Sequence, residues 1–119
     1  MSSQPEQLRD RTKAFALRVI RLYRSLPYKT DTQVLGKQLL RCGTSVAANY
    51  RAVCRARSKA EFIAKMGVVV EEADEAILWL ELMTESGIIS ATKTDALLKE
   101  TNELTAIFAA SQRTARNAA

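Results

Sequence analysis

Arginine is the residue type in this chain best suited to binding chemistry, and it is concentrated in one short stretch. The segment TSVAANYRAVCRARSKAEF, residues 44–62, begins with small side chains and then carries Arg51, Arg55 and Arg57. A guanidinium group presents a planar fork of hydrogen-bond donors that matches the oxygens of phosphates and carboxylates. The stretch is therefore a candidate for contact with a nucleic acid or with acidic side chains of a neighbouring subunit.

Residue types that commonly perform catalysis or hold a metal are scarce. The chain has no histidine, and histidine is the commonest general base and metal ligand. The acidic residues Glu71, Glu72, Asp74 and Glu75 could suggest a carboxylate metal site, but di-iron bundles combine glutamates with Glu-x-x-His motifs. The sequence also lacks a phosphate-cradling glycine loop and a nucleophile–base pairing. We expect a protein that is not an enzyme and that needs no cofactor or metal.

Two cysteines, Cys42 and Cys54, are the remaining reactive side chains. Both fall on one predicted helix, about 18 Å apart along its axis, so they cannot form a disulfide with each other. We expect ordinary small thiols, buried or half-buried.

Charge divides the chain into two unlike halves. Residues 1–60 hold 13 Lys and Arg against 3 Asp and Glu, a net charge of +10, whereas residues 61–119 hold 5 against 10, a net charge of −5. This asymmetry indicates either self-complementary packing between copies of the chain or a basic face for a polyanion.

The length and composition are typical of one helical domain. The 119 residues are 47% hydrophobic and include only four glycines and two prolines. No apolar run approaches the ~20 residues that cross a bilayer, and the N-terminus lacks the apolar segment of a secretory signal. We therefore expect a cytoplasmic protein that does not associate with membranes.

Four helices must position these side chains. Apolar residues recur at spacings of three and four, which predicts helices over 6–26, 31–57, 59–86 and 92–116. Pro27 ends the first helix, Ser58 and Glu61 form a capping pair at the start of the third, and Gly87 follows its last turn.

The connections between these helices are short, and short connections make neighbouring helices antiparallel. We therefore predict an all-α fold, an antiparallel up-down-up-down four-helix bundle. It forms a single domain over residues 1–119, with frayed ends at about 1–5 and 117–119.

The third helix carries more apolar residues than one buried stripe explains. A rotation of 100° per residue places Val68, Leu78, Trp79 and Leu82 opposite its core-facing side. Leaving large apolar side chains in water costs about 1.5–3 kcal/mol each. We predict that these four residues form an interface between subunits of a homo-oligomer.

The second helix presents a basic face. Lys37, Arg41, Arg51 and Arg55 fall within about 80° of one another, and the small residues Thr44 and Ala48 between them let another backbone approach. Neutralisation of phosphates by arginine supplies affinity but little sequence readout. The candidate nucleic-acid-binding residues are Arg18, Arg21, Arg41, Arg51, Arg55 and Arg57.

Asn49 is the one amide at a core-facing position of the second helix. An unpaired buried amide costs about 1–3 kcal/mol, so we expect a hydrogen bond to Ser45, to Thr12 or to a backbone carbonyl. Such a buried polar group can fix the register of packed helices. A role in binding a ligand is the alternative.

Two stretches resemble a known family. LLRCGTSVAANYRAVCRARSKAEF and EEADEAILWLEL are similar to the four-helix bundle proteins, also called the 23S rRNA intervening-sequence protein or S23 family, and the resemblance extends over about residues 8–116. The pattern includes the spacing of Arg41, Ser45 and Asn49. Many relatives continue from the asparagine as Ile-Ala-Glu-Gly, whereas this chain continues as Tyr-Arg-Ala.

The resemblance implies a cytosolic bundle that assembles as a homopentamer around a central channel. The family also resembles the accessory protein of diversity-generating retroelements, a basic pentamer that engages a reverse transcriptase and nucleic acid. Two functions follow as hypotheses. The first is a non-catalytic homo-oligomeric scaffold whose basic face binds nucleic acid, structured RNA, with little sequence specificity. The second is a protein-binding adaptor whose charged faces serve subunit assembly or a protein partner such as a reverse transcriptase.

Overall fold

The computed structural model describes residues 3–118, and within that range it contains four helices and no strand. The helices are α1 (Gln4–Arg24), α2 (Thr30–Cys54), α3 (Lys59–Glu85) and α4 (Ala91–Asn117). They form an all-α bundle about 50 Å long. α2 packs against α1 and α3, and α3 packs against α2 and α4, whereas the contact between α1 and α4 is much smaller.

The helix boundaries lie within three residues of the predicted ones, and local capping explains them. The Ser58 hydroxyl accepts a hydrogen bond from the Glu61 amide at 3.1 Å, as predicted for the start of α3. Gly87 follows α3 with a φ of +81°, a conformation that glycine adopts without a steric penalty. At the start of α1, the Ser3 hydroxyl accepts a hydrogen bond from the Glu6 amide.

The expectation of frayed ends falls partly on residues 1, 2 and 119, which lie outside the described residues. Within the described range α1 begins earlier than predicted, at Gln4, and α4 ends one residue later, at Asn117, whereas α1 and α2 end two and three residues earlier than predicted. Pro5 fits the start of α1 because the first amides of a helix have no partner inside the helix. No helix of residues 3–118 is long and apolar enough to cross a membrane.

The core lies between all four helices and is built mainly from leucine, valine, methionine and phenylalanine. Val19 of α1, Leu39 of α2, Leu80 of α3 and Phe108 of α4 are completely buried. Tyr50 also belongs to the core, with its ring centroid 5.6 Å from that of Phe108.

Asn49 is therefore not the core-facing residue of its turn. It is half-buried, and its amide Nδ2 donates to the Ser45 carbonyl at 2.9 Å. The expected hydrogen bond to a backbone carbonyl is present, but it lies within α2. The larger and more apolar Tyr50 occupies the buried side instead, 100° further round the helix.

Glycine allows α1 and α2 to come close together. A Cβ atom added to Gly43 would lie 2.8 Å from Cγ2 and 3.1 Å from Cβ of Val19. A Cβ atom at Gly36 would lie 2.7 Å from Cδ1 of Leu26, at the end of a more flexible side chain. Because a β-branched valine has little rotamer freedom in a helix, it cannot easily move away from an added methyl group.

Gly43→Ala is expected to destabilise the protein by about 1–2 kcal/mol, because overpacking outweighs the better helix propensity of alanine. Chemical denaturation of Gly43→Ala, Val19→Ala and the double variant measures this effect. We expect the two changes to couple by at least about 1 kcal/mol, since shortening Val19 makes room for the new methyl group. Purely additive free energies of unfolding would contradict the close contact.

Candidate nucleic-acid interface

The six arginines predicted to bind nucleic acid lie in four different surroundings. Arg51 and Arg55 share one face near the end of α2, and Arg57 follows in the connection to α3. Arg18 and Arg21 lie on α1, and Arg41 lies in the middle of α2. The structure thus brings some of them together and separates the others.

Arg41 is already engaged by acidic residues of the same chain. Its Nη2 atom lies 2.8 Å from Oε2 of Glu75, and its Nη1 atom lies 3.2 Å from Oε2 of Glu72, both on α3. Half of the Arg41 side chain remains exposed, and exposed ion pairs contribute little to stability. From the sequence, Arg41 was a candidate for contact with acidic residues of a neighbouring subunit, but Glu72 and Glu75 of the same chain already provide such a contact.

Cys42 lies beside this ion pair and completes a cluster with the two glutamates. Its thiol donates to Oε2 of Glu75 at 3.3 Å, and the ligand atoms of Cys42, Glu72 and Glu75 lie within 4.8 Å of one another. Burial, followed by the hydrogen bond to Glu75, raises the pKa of the Cys42 thiol to about 12. A protonated thiol is a poor metal ligand, and Arg41 already supplies the positive charge that the carboxylates attract.

Arg51 and Arg55 meet a third arginine that the sequence analysis did not single out. The side chains of Arg9, Arg51 and Arg55 line a hollow of about 290 Å³ together with Cys54, and among residues 3–118 no acidic residue lines it. Within residues 3–118, none of these three guanidinium groups forms an ion pair. Only the packing of α1 on α2 brings Arg9 to this position.

A larger, mostly apolar pocket of about 500 Å³ adjoins the arginine hollow, because Cys54 lines both. Its walls include Tyr50 and Phe62, together with residues from the start of α1 and the end of α4. Burial, followed by the neighbouring Cys54 side chain, raises the pKa of Tyr50 to about 12, so its hydroxyl stays protonated.

Arg18 and Arg21 line a separate groove of about 310 Å³ between α1 and α4, together with Lys93. This groove is also basic. Arg57 is exposed beside Ser58, the residue that caps α3. The basic surface is thus broken into patches along the bundle.

Acidic residues of α4 hold α1 in place across the more open side of the bundle. Arg11 of α1 lies 2.6 Å from Oε1 of Glu100 and 2.8 Å from Oε2 of Glu103. The hydrogen bond to Glu100 is the largest of the effects that raise the pKa of Arg11. Arg11 and Arg41, from the basic half of the chain (residues 1–60), thus both form ion pairs with glutamates of the acidic half (residues 61–119).

Three of the four residues predicted for a subunit interface are exposed on α3. Val68, Leu78 and Leu82 expose 41%, 47% and 42% of their surface. Trp79 differs, because it is half-buried and packs against the core, and its Nε1 atom is shielded from solvent with no hydrogen-bond partner among residues 3–118. Helical rotation places Trp79 at the flank of the exposed strip, about 100° from the core-facing side.

Two further exposed apolar residues lie outside the predicted interface. Leu17 of α1 exposes 42% of its surface and Val34 of α2 exposes 56%. Each is an isolated apolar residue within a polar face in the sequence, so spacing alone does not distinguish it from an ordinary surface residue.

Four helices that share one core, with a basic surface on the first two, define the class of protein as a basic helical bundle. The sequence profile of the family described as 23S rRNA-intervening sequence protein matches residues 7–110, and the chain belongs to this family. No curated protein is significantly similar to the chain.

A solved structure supports the same assignment. The chain is similar to the crystal structure of a protein of unknown function from the S23 ribosomal protein family of Bacteroides thetaiotaomicron. The two chains are 30% identical, with a TM-score of 0.85, and the similarity covers 93% of this chain and 99% of the other.

The two thiols are expected to differ sharply in reactivity. Native protein treated with iodoacetamide at pH 8 should be modified at Cys54, which is exposed, and not at Cys42, which is buried with a raised pKa. Mass spectrometry of the intact chain should show one added group before unfolding in urea and two afterwards. In Cys54→Ser the native protein should remain unmodified, and equal rates at both thiols would contradict the burial of Cys42.

Proposed function

We propose that the protein is a non-catalytic homo-oligomeric scaffold whose basic α1–α2 surface binds nucleic acid, structured RNA, with little sequence specificity. The observation that carries the proposal is the hollow lined by Arg9, Arg51 and Arg55, which has no acidic residue of the described range 3–118 in its lining. Unneutralised arginines attract the phosphates of a nucleic acid. When the arginines bind, they replace counterions that were associated with those phosphates, and the release of the counterions favours binding.

The kind of contacts available favours backbone recognition over base readout. Guanidinium groups match phosphate oxygens in a bidentate manner. Tyr28 is exposed, whereas Tyr50 is buried, so the surface offers few aromatic rings for stacking along a strand. Phosphate contacts position a nucleic acid without reading its sequence.

We propose a protein without catalytic activity because its potentially reactive thiol and carboxylates interact with other side chains of the same chain. The Cys42 thiol is kept protonated, and the carboxylates of Glu72 and Glu75 are engaged by Arg41. These groups link α2 to α3 and are poorly placed to act on a substrate.

The proposal includes an antiparallel, up-down-up-down order of the helices. Two hydrogen bonds support it for α3 and α4. Nε2 of Gln112, near the end of α4, donates to the carbonyl of Ile63, near the start of α3, at 3.0 Å. At the other end, the hydroxyls of Thr84 and Thr94 lie 2.9 Å apart.

The proposed assembly is a ring, a homopentamer, in which α3 of one copy contacts a neighbouring copy. Exposed acidic residues lie on the same helix as the apolar strip of Val68, Leu78 and Leu82, whereas the exposed side of α1 and α2 is basic. Contact between two different surfaces of identical chains produces closed rings when the rotation closes. The resemblance to a pentameric family, and not the geometry of one chain, suggests the number five.

Binding to a 30-nucleotide RNA hairpin is expected to depend strongly on salt. If about six phosphates are contacted, affinity should fall roughly a thousandfold between 50 and 200 mM salt. The double change Arg51→Gln and Arg55→Gln should lower the slope of log Kd against log salt by about two. Filter binding over a salt series measures both quantities.

The matched control is Arg24→Gln, at an exposed arginine in the last turn of α1, away from the hollow. It should leave the salt slope of the native protein almost unchanged. A flat salt response of the native protein would exclude phosphate-dominated RNA binding.

Leu78→Glu is expected to weaken assembly, because it places a charge in the apolar strip of α3 and leaves the core intact. Light scattering after size exclusion should show a shift of the native oligomer towards the 13.2 kDa chain. Leu17→Glu, at a similarly exposed leucine of α1, tests whether the effect is specific to α3. A native protein that is already monomeric at micromolar concentration would contradict the proposed assembly.

A protein-binding adaptor is the second candidate, and the separation of charge favours it. The basic side of α1 and α2 would then contact an acidic surface of a neighbouring subunit or of a protein partner such as a reverse transcriptase. The charge reversal Arg51→Glu with Arg55→Glu separates the two candidates. Loss of RNA binding with an intact oligomer supports the scaffold, whereas dissociation of the oligomer supports the adaptor.

A further inference from the structure

We propose that the arginine hollow and the adjoining apolar pocket form one site for the end of a nucleic-acid strand, with the terminal phosphate on the arginines and the last base in the pocket. This inference rests on the proposed nucleic-acid binding and assigns a particular ligand class to part of that surface. The two cavities are neighbours, because Cys54 lines both of them.

The arginine hollow suits a phosphate monoester better than a phosphate within the strand. Arg9, Arg51 and Arg55 surround a space of about 290 Å³ from two different helices. A terminal phosphate carries a charge of about −1.5 to −2 near neutral pH and has three strong acceptor oxygens, whereas an internal diester carries one charge. Three converging guanidinium groups therefore gain most from a phosphate that is both more highly charged and accessible from several sides.

The adjoining pocket has the size and the lining that a base requires. Its volume of about 500 Å³ lies in the usual range for small-ligand sites. The half-buried Phe62 provides aromatic surface, and Ser58 and Lys59 add polar groups to a mostly apolar lining. A flat aromatic base with polar edges fits such a combination.

The order of charge and apolar surface also matches a nucleotide. The three arginines line one cavity, the apolar and aromatic residues line the other, and Cys54 is common to both. In a nucleotide, the phosphate and the base are likewise separated by the sugar.

The test compares three ten-nucleotide RNAs of the same sequence, one with a 5′-phosphate, one with a 3′-phosphate and one with hydroxyls at both ends. Calorimetric titration of the full-length protein at 100 mM salt should show at least tenfold tighter binding of one phosphorylated RNA than of the hydroxyl-ended RNA. The end that gains affinity identifies the terminus that the site accepts.

Arg9→Gln should abolish this advantage, so that the three RNAs bind the variant with affinities within about twofold of one another. Arg24→Gln, at the far end of α1, should keep the advantage. Circular dichroism of both variants checks that the helices are intact.

Cys54 provides a second, local measurement. The phosphorylated RNA that binds more tightly should slow the modification of Cys54 by iodoacetamide at least fivefold at saturation, because Cys54 lies between the two cavities. Iodoacetamide is uncharged, so it does not compete with the RNA phosphate for the arginines. The hydroxyl-ended RNA, at the same fractional saturation, should leave the rate within about twofold.

The outcomes separate this inference from the proposed function. Equal affinities of all three RNAs would overturn the strand-end site and leave RNA binding by the basic surface in place. Unchanged reactivity of Cys54 in the saturated phosphorylated complex would also overturn it. Absence of binding by any RNA, including the hairpin, would overturn both.

Discussion

Basic residues are concentrated on α1 and α2 and acidic residues on α3, and the ion pairs of Arg11 and Arg41 join the basic half of the chain to carboxylates of α4 and α3. Such pairs neutralise only part of the positive charge, and exposed ion pairs add little stability. Most of the free energy that holds the bundle together therefore comes from burial of apolar side chains between the helices. The remaining arginines stay free for contacts outside the chain, which is why the candidate site and the candidate assembly both involve the same α1–α2 surface.

α3 has apolar residues both in the core and on its exposed side. It packs between α2 and α4 with Leu80 completely buried, yet it also exposes Leu78 and Leu82 on its outer side. An apolar strip on a surface that is otherwise acidic has two properties that an interface needs, an apolar centre and charges around it. α3 therefore supplies one side of the proposed contact between copies.

Helix positions were largely predictable from the sequence, because the apolar spacing extends over several turns and Ser58 and Gly87 are clear capping signals. Details within a turn were less predictable. Asn49 and Tyr50 are neighbours, and a small rotation of α2 decides which of them faces the core. Trp79 was predicted to be exposed, but its large ring reaches the core from a flanking position.

Contacts between helices could be predicted least. Arg41 was assigned to an external partner because Glu72 and Glu75 are more than 30 residues away in the sequence. Arg9 was not selected, since its neighbours in the sequence give no indication that it faces Arg51 and Arg55. The composition of the arginine hollow depends on how closely α1 and α2 approach, and that distance is set by Gly43 and Val19.

The indole of Trp79 has a practical consequence for optical spectroscopy. Its N–H group is enclosed without an acceptor among residues 3–118, and a buried unmade hydrogen bond costs about 1–3 kcal/mol. Phenylalanine would keep an aromatic ring there without that group, so the bundle can tolerate loss of its single tryptophan. The resulting chain would have no intrinsic indole emission, and a chromophore introduced at any chosen helix would then report on that helix alone.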